Sequence, residues 1–373
     1  MAKRRGNNEG SIYRRKDGYW VGQYGVETAT GRKTRYIYGK LREDVREKLT
    51  KAIADRDGGI ILGHQNMSVA DYIERWLRDS VNGSVRTSTY ASYERQVSRY
   101  VIPALGHVKL TKLTPAHVQR LYREMQDRGL SARTVQYTHA VLHRALKQAK
   151  RWGMVNLNAS EDVDRPQLKK EEIRPLDREQ ARRLLAAAEG NRLHAFYVVA
   201  VTAGLRPGEL LALRWKDVDL EASTLRINRA LSQGEFSTPK TPRSRRKVEL
   251  SNTARAALKA HRKRQLEERM QRRVVFWQEQ DLVFPSTVGT PLSHRNVVRS
   301  FKALLECAGL PAKTRLYDLR HTCATLLLNS NVHPKYVQEL LGHASIAQTL
   351  DTYSHVIEGM DGGIGGAMDV ALG

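Results

Sequence analysis

Leu316-Tyr317-Asp318-Leu319-Arg320-His321-Thr322, Leu341-Gly342-His343 and Asp351-Thr352-Tyr353-Ser354-His355 fall within about forty residues of one another near the C-terminal end of the chain. An arginine, a histidine and a tyrosine at these spacings are able to converge on one phosphate. Pro334 predicts the start of a helix that Gly342 ends, with His343 in the following turn and Ser345 capping the next helix. Tyr353 then falls about three turns further on. Two more cationic candidates lie upstream. Arg206 stands in Thr202-Ala203-Gly204-Leu205-Arg206-Pro207-Gly208-Glu209-Leu210, and Lys240 in Thr238-Pro239-Lys240-Thr241.

These residue types suit one task, cleavage of a DNA phosphodiester without a metal. A nucleophile must attack phosphorus, donors must hold the added charge on the non-bridging oxygens, and an acid must protonate the departing sugar oxygen. No carboxylate cluster suited to magnesium is visible in the sequence. Arg206 and Arg320 fit the charge-stabilising role, since a guanidinium is planar, permanently charged and able to fork onto two oxygens. Pro207 places Arg206 at a helix start, where main-chain N–H groups also face an anion. Glu209 reads either as a carboxylate orienting a neighbouring base or as a solvated helix residue. Lys240, in a β-turn, can reach a leaving oxygen. His343 can donate to a phosphate oxygen. Tyr353 offers a phenol whose ordinary pKa of about 10 leaves roughly one molecule in a thousand ionised at neutral pH. His321 reads as a structural helix residue.

At Arg206, Lys240, Arg320, His343 and Tyr353 the chain resembles the tyrosine recombinases, the family of phage and mobile-element integrases. That resemblance implies a tyrosine nucleophile at 353, a general acid at Lys240 and a 3′-phosphotyrosine intermediate. The freed 5′ hydroxyl of a partner duplex would reseal the strand, so neither cofactor, metal nor ATP is expected. One departure stands out. The family's usual histidine three residues before the second arginine is Tyr317 here. A phenol is a poor base near pH 7, so Tyr317 is expected to orient the scissile phosphate or Tyr353, while the proton goes to water or another group.

The bulk properties agree with a polyanionic partner. The 373 residues carry a net charge of +24, from 63 Lys and Arg against 39 Asp and Glu. No apolar run approaches the ~20 residues that span a bilayer, and the basic start lacks the apolar stretch of a secretory signal. A cytoplasmic, nucleoid-associated protein of a bacterial or phage-infected cell, with no membrane partner, is expected. Cys307 and Cys323 show no metal-ligand spacing and read as reduced, buried thiols.

The length predicts more than one domain, and the fold class expected is multidomain, mainly α with small β-sheets. Residues 1–63 predict a three-stranded sheet plus a helix over about 41–56; by resemblance this is an arm-type DNA-binding domain laid in a major groove. Arg14, Lys16, Tyr24, Arg32, Lys33 and Arg35 are its candidate DNA contacts, with Trp20 either on that face or in the core. Residues 66–160 predict four helices in a bundle resembling the core-binding domain of these integrases, with Thr87, Ser88, Tyr90, Arg95, Arg133, Thr134 and Tyr137 as candidate contacts. Residues 161–173, polar and holding Pro166, read as a linker. Residues 174–373 predict a mixed α/β tyrosine-recombinase catalytic domain with a C-terminal tail. Its strands are expected at 224–227, 245–250 and 281–284, with Arg243 and Arg245 as further DNA contacts. The apolar end of the tail is expected to pack on a neighbouring subunit.

The reading is thus an integrase that inserts or excises a mobile element, acting on double-stranded attachment sites, core and arm, as a homotetramer. A host DNA-bending factor and a directionality factor are open as further partners. Three alternatives stay open: a chromosome-dimer resolvase of the same chemistry, a type IB topoisomerase, and a DNA-binding regulator whose catalysis is impaired through Tyr317.

Overall fold

The computed structural model describes residues 10–28, 31–57, 66–168, 175–238, 245–271 and 280–357, together with Met368 and Leu372. The chain divides into two compact units, Met1–Lys170 and Glu171–Gly373.

The first unit begins with an antiparallel sheet of β1 (Ser11–Arg14), β2 (Trp20–Thr28) and β3 (Gly31–Gly39), in that order. Helix α1 (Arg42–Asp57) covers one face, its Val45 and Leu49 approaching the sheet at Gly22. The register pairs Arg14 with Trp20, Tyr24 with Arg35, Val26 with Lys33 and Glu27 with Arg32. Directly opposed residues share a face and neighbours along a strand alternate. Arg14, Lys33 and Arg35 therefore stand on the α1 side and Arg32 on the open side, so the basic residues expected on one DNA-facing surface occupy two. Tyr24 is a second correction: it is 6% exposed and packs with Leu49 in the small core of this sheet. The open side instead presents Tyr13, Tyr36 and Tyr38, all exposed.

The helical part of this unit comprises α2 (Val69–Trp76), α3 (Thr87–Gln96), α4 (Ile102–Leu105), α5 (Pro115–Asp127) and α6 (Ala132–Arg151). Short π-helical stretches at Leu77–Val81 and Val97–Val101 extend α2 and join α3 to α4. Sequence signals place the helix starts. Ser68 and Asp71 close a capping box on α2, Thr114 and Pro115 open α5, and the Ser131 hydroxyl accepts from the Thr134 N–H at the start of α6. Thr87 is the first helical residue of α3, with Arg86 at the cap position. Tyr72, Trp76, Tyr122, Leu142 and Leu146 fill the core, and the Tyr72 hydroxyl donates to the Ala145 carbonyl at 2.5 Å.

The second unit holds α7 (Arg178–Ala187), α8 (His194–Ala203), α9 (Pro207–Ala212), α10 (Asn252–Gln271), α11 (His294–Cys307), α12 (Asp318–Asn329), α13 (Pro334–Leu341) and α14 (Ile346–Ile357). Helix α8 is apolar on all sides, as Phe196-Tyr197-Val198-Val199-Ala200-Val201 requires, and it runs through the centre of the core. Strands β4 (Val218–Asp219), β5 (Thr224–Ile227) and β8 (Arg246–Glu249) form one antiparallel sheet; β6 (Ala230–Ser232) and β7 (Glu235–Ser237) form a hairpin beside α9. The strand expected at 281–284 is reduced to a single bridge between Leu282 and Arg214. Cys323 is buried as expected, but Cys307, at the end of α11, is exposed.

Candidate active site

Two tight turns position the cationic groups. Helix α8 ends at Gly204 in the left-handed conformation, with φ of +61°. A Cβ there would lie 2.8 Å from Leu341 Cδ2, so glycine is required both by conformation and by space. Arg206 follows two residues later in extended conformation, and Pro207 starts α9. Helix α13 ends in the same way at Gly342, with φ of +64°, and delivers His343.

Arg320, in the first turn of α12, joins these two turns. It is 2% exposed. Its Nη1 donates to the Gly204 carbonyl at 2.9 Å and its Nη2 to the Leu341 carbonyl at 2.6 Å. One guanidinium thus holds the segment leading to Arg206 against the segment leading to His343. Burial, with the Arg206 charge adding to it, lowers Arg320 to about 10, so it remains a cation at neutral pH.

A second arginine braces the first turn. Glu209, 4% exposed, accepts from Arg206 Nη1 at 2.8 Å and from Arg246 Nη2 at 3.0 Å. It also accepts from the Arg206 main-chain N–H at 3.0 Å. Burial acts to raise its carboxyl, but the Arg246 and Arg206 guanidiniums outweigh it and hold Glu209 below the ordinary carboxylate value. Arg246 Nε donates to the Leu340 carbonyl at 2.5 Å, tying β8 to α13.

His343 is buried. Its Nδ1 lies 2.9 Å from Thr349 Oγ1, and Gln338 grips its main chain from both sides, at 3.1 and 2.7 Å. Burial, then the charges of Arg320 and Arg206, push its pKa down to about 4, so the ring is neutral at pH 7.

Tyr353 is 1% exposed, packed with Ala324, Leu328, Val337 and Leu341. It sits two turns into α14, not three, and breaks the helix there with φ −122° and ψ 18°. Its hydroxyl lies 2.8 Å from His321 Nδ1. Burial raises the phenol above its ordinary pKa, and the Arg320 charge opposes that rise. Tyr317, 41% exposed, packs edge-on against the His321 ring with centroids 5.4 Å apart. The structure therefore brings together Arg206, Glu209, Arg320, His343 and Tyr353. It adds Arg246 and His321, which sequence reasoning left in structural roles. The four-residue spacing of Tyr317 and His321, which puts both on one helix face, is the signal that points to His321.

Comparison with known proteins gives the family. The model of the phage integrase family matches residues 174–359, and that of the phage integrase N-terminal SAM-like domain matches residues 68–126. An integrase of Streptomyces ambofaciens is 31% identical over 372 aligned residues, covering 95% of this chain and 94% of that protein. The chain belongs to the phage integrase family of tyrosine recombinases. It is a site-specific recombinase, a DNA-cleaving and rejoining enzyme of the class that uses a tyrosine nucleophile. A XerC-like tyrosine recombinase of Caldanaerobacter subterraneus subsp. tengcongensis is 29% identical over 343 residues, covering 86% of this chain and 88% of its own. In fold, the recombinase is similar to the Tn1549 transposon integrase solved with a circular intermediate DNA. The TM-score is 0.65 at 21% identity, covering 79% of this chain and 99% of that one.

The remaining site candidates of the recombinase that the structure describes are exposed or half-buried. Lys240 and Arg243 lie outside the described residues, while Arg245, just before β8, is exposed. On the bundle, Thr87, Arg95 and Arg133 are exposed and Ser88 and Tyr90 half-buried. Thr134 Oγ1 lies 2.9 Å from Ser131 Oγ, and the Tyr137 hydroxyl 2.8 Å from Ser92 Oγ, which links α6 to α3. Arg14, Lys16, Lys33 and Arg35 are exposed on the N-terminal sheet and its turn. No helix among the described residues is long and apolar enough to cross a membrane.

Proposed function

We propose that this recombinase is an integrase that inserts and excises a mobile element through a 3′-phosphotyrosine formed by Tyr353. The observation that carries this reading is the Arg320 guanidinium, which binds the turn before Arg206 to the turn before His343 and acts on the Tyr353 phenol. Two of its five N–H donors go to the carbonyls. The others, with Arg206, suit the non-bridging oxygens of a phosphate. Glu209 fixes the Arg206 fork. With Thr349 donating to Nδ1, His343 keeps its ring proton on Nε2 and donates from there. Lys240 protonates the departing 5′ oxygen, and Tyr317 lines the approach to the phosphate.

Double-stranded attachment sites are the substrate. The bundle contacts core sequence through Thr87, Ser88, Tyr90, Arg95, Arg133, Thr134 and Tyr137, and Arg245 and Arg243 add phosphate contacts. The N-terminal sheet binds arm sequence. Four copies act on the synapsed sites in the cytoplasm, with the C-terminal tail, whose Met368 and Leu372 are exposed, docking on a neighbouring copy. A host bending factor and a directionality factor fit the same scheme. The XerC-like relative favours a second reading, a chromosome-dimer resolvase of the same chemistry.

The test is covalent trapping. The full chain is incubated with a pool of nicked duplexes randomised at the core, and the adducts are recovered and sequenced. We expect adducts on one family of sites, joined at Tyr353 and lost in Tyr353→Phe. An adduct that persists in Tyr353→Phe overturns the reading. Recovered sites that match the junction of an integrated element support the integrase; sites that match a chromosome terminus support the resolvase.

A further inference from the structure

We infer that His321 accepts the proton of the Tyr353 hydroxyl during strand cleavage, one residue beyond the phosphate-binding Arg320. The inference rests on the reading of Tyr353 as nucleophile. Among the described residues, His321 is the hydrogen-bond partner of that hydroxyl, with Nδ1 2.8 Å from Oη and ring centroids 5.8 Å apart. The other candidates are committed elsewhere. His343 directs its Nδ1 to Thr349. Tyr317 presents its ring edge-on to His321, so it backs the imidazole.

Burial, aided by two arginines, keeps His321 neutral. Tyr353 faces it from α14, His343 from the turn after α13, and Tyr317, Asp318, Arg315 and Arg320 from α12 and the turn before it. Burial lowers its pKa from the ordinary value of 6.5, Asp318 opposes this, and Arg320 and Arg315 add to it. With the ring proton on Nε2, Nδ1 holds a free lone pair at pH 7. In the resting protein the phenol keeps its proton, because burial makes it a weaker acid than usual. It becomes a strong acid only as its oxygen bonds to phosphorus, which is when a positioned base is useful. The step balances. An Oη lone pair forms the O–P bond, the Oη proton passes to Nδ1, the P–O5′ bond breaks, and the 5′ oxygen takes a proton from Lys240. Religation reverses both transfers: the incoming 5′ hydroxyl bonds to phosphorus and gives its proton back to Lys240, the P–Oη bond breaks, and the Tyr353 oxygen takes the proton from Nδ1.

His321→Asn separates proton transfer from positioning, since the amide oxygen still accepts from the phenol but cannot hold its proton. Single-turnover adduct formation is followed on the nicked duplexes selected above, from pH 5.5 to 9. For the wild type, the rate is expected to rise through a value below 6.5 and to level off by pH 7. For His321→Asn we expect a rate at pH 7 lower by roughly 100-fold, still climbing about tenfold per pH unit to pH 9 as hydroxide replaces the base, with unchanged DNA affinity. A His321→Asn enzyme with wild-type rate and profile overturns the inference while Tyr353→Phe, lacking adduct, leaves the nucleophile standing. Should the variant not fold, ¹⁵N-histidine spectra of the wild-type chain decide: an unprotonated Nδ1 at pH 7 that shifts in Tyr353→Phe supports the inference, and a protonated Nδ1 overturns it.

Discussion

Arg320 is placed by main-chain carbonyls, so the backbone around it matters as much as the side chain. Gly204→Ala is expected to destabilise the protein by at least about 1–2 kcal/mol, the cost of a left-handed non-glycine residue. The collision with Leu341 adds to that, and urea unfolding measures it. The same change displaces the carbonyl that holds Nη1, so adduct formation is expected to fall more than DNA affinity does. Glu209→Ala leaves Arg206 and the buried Arg246 without their shared carboxylate. Removing one partner of a buried ion pair costs roughly 3–5 kcal/mol, and a loss under 1 kcal/mol in urea would show that Glu209 does not brace the site. Arg206→Ala is expected to slow cleavage at least about 100-fold at saturating DNA, the scale of one lost charge-stabilising donor.

Histidines held neutral by burial predict acid sensitivity, and two of them are the most deeply enclosed. On α10, His261 Nε2 meets the Val283 carbonyl at 2.6 Å, and burial brings its pKa down to about 4. His343, between α13 and α14, is lowered to a similar value. Both folded values lie below the unfolded value of about 6.5. Their contribution is therefore complete above pH 6.5 and is lost as pH falls toward 4, because the unfolded chain binds the protons first. Each is expected to remove on the order of 2 kcal/mol between pH 7 and pH 5, and urea unfolding at the two values checks it. His261→Gln is expected to remove its own share of that dependence, on the order of 2 kcal/mol.

The helix starts at Ser68, Thr114, Ser131 and Pro207, and the stop at Gly342, were legible because capping and left-handed turns are local chemistry. Arg206, Arg320, His343 and Tyr353 stood out because the family pattern keeps them at recognisable spacing. Pairings across long stretches of chain were not legible. Arg246 reads as an ordinary strand residue until β8 is set against α9 and α13. His321 reads as a helix residue until α14 folds back on α12. The two faces of the N-terminal sheet needed the register of β2 on β3, since a slip of one residue exchanges the faces. Tyr24 looked like a surface aromatic because nothing local shows that Leu49 covers it.

At the scale of the whole molecule, a net charge of +24 makes ion release a large part of DNA binding. Affinity for a core duplex is expected to fall by about a thousandfold or more between 50 and 200 mM salt, as for proteins that neutralise six or more phosphates. A filter-binding or fluorescence titration giving a flat response would sink the proposed phosphate contacts of the bundle and of Arg245. Arg95→Ala and Arg133→Ala are each expected to reduce the slope of log affinity against log salt by about one if they neutralise a phosphate.

The bend at Tyr353 carries a last consequence. A side chain only 1% exposed, packed on Leu328, Val337 and Leu341 and held through its hydroxyl by His321, cannot touch a passing duplex until α14 loosens its hold on α12. With Tyr353 in the proposed role, a strand-breaking protein adrift among the countless phosphates of a chromosome keeps its blade sheathed. Damage to foreign sequence is limited by access, whatever the reactivity of the groups within.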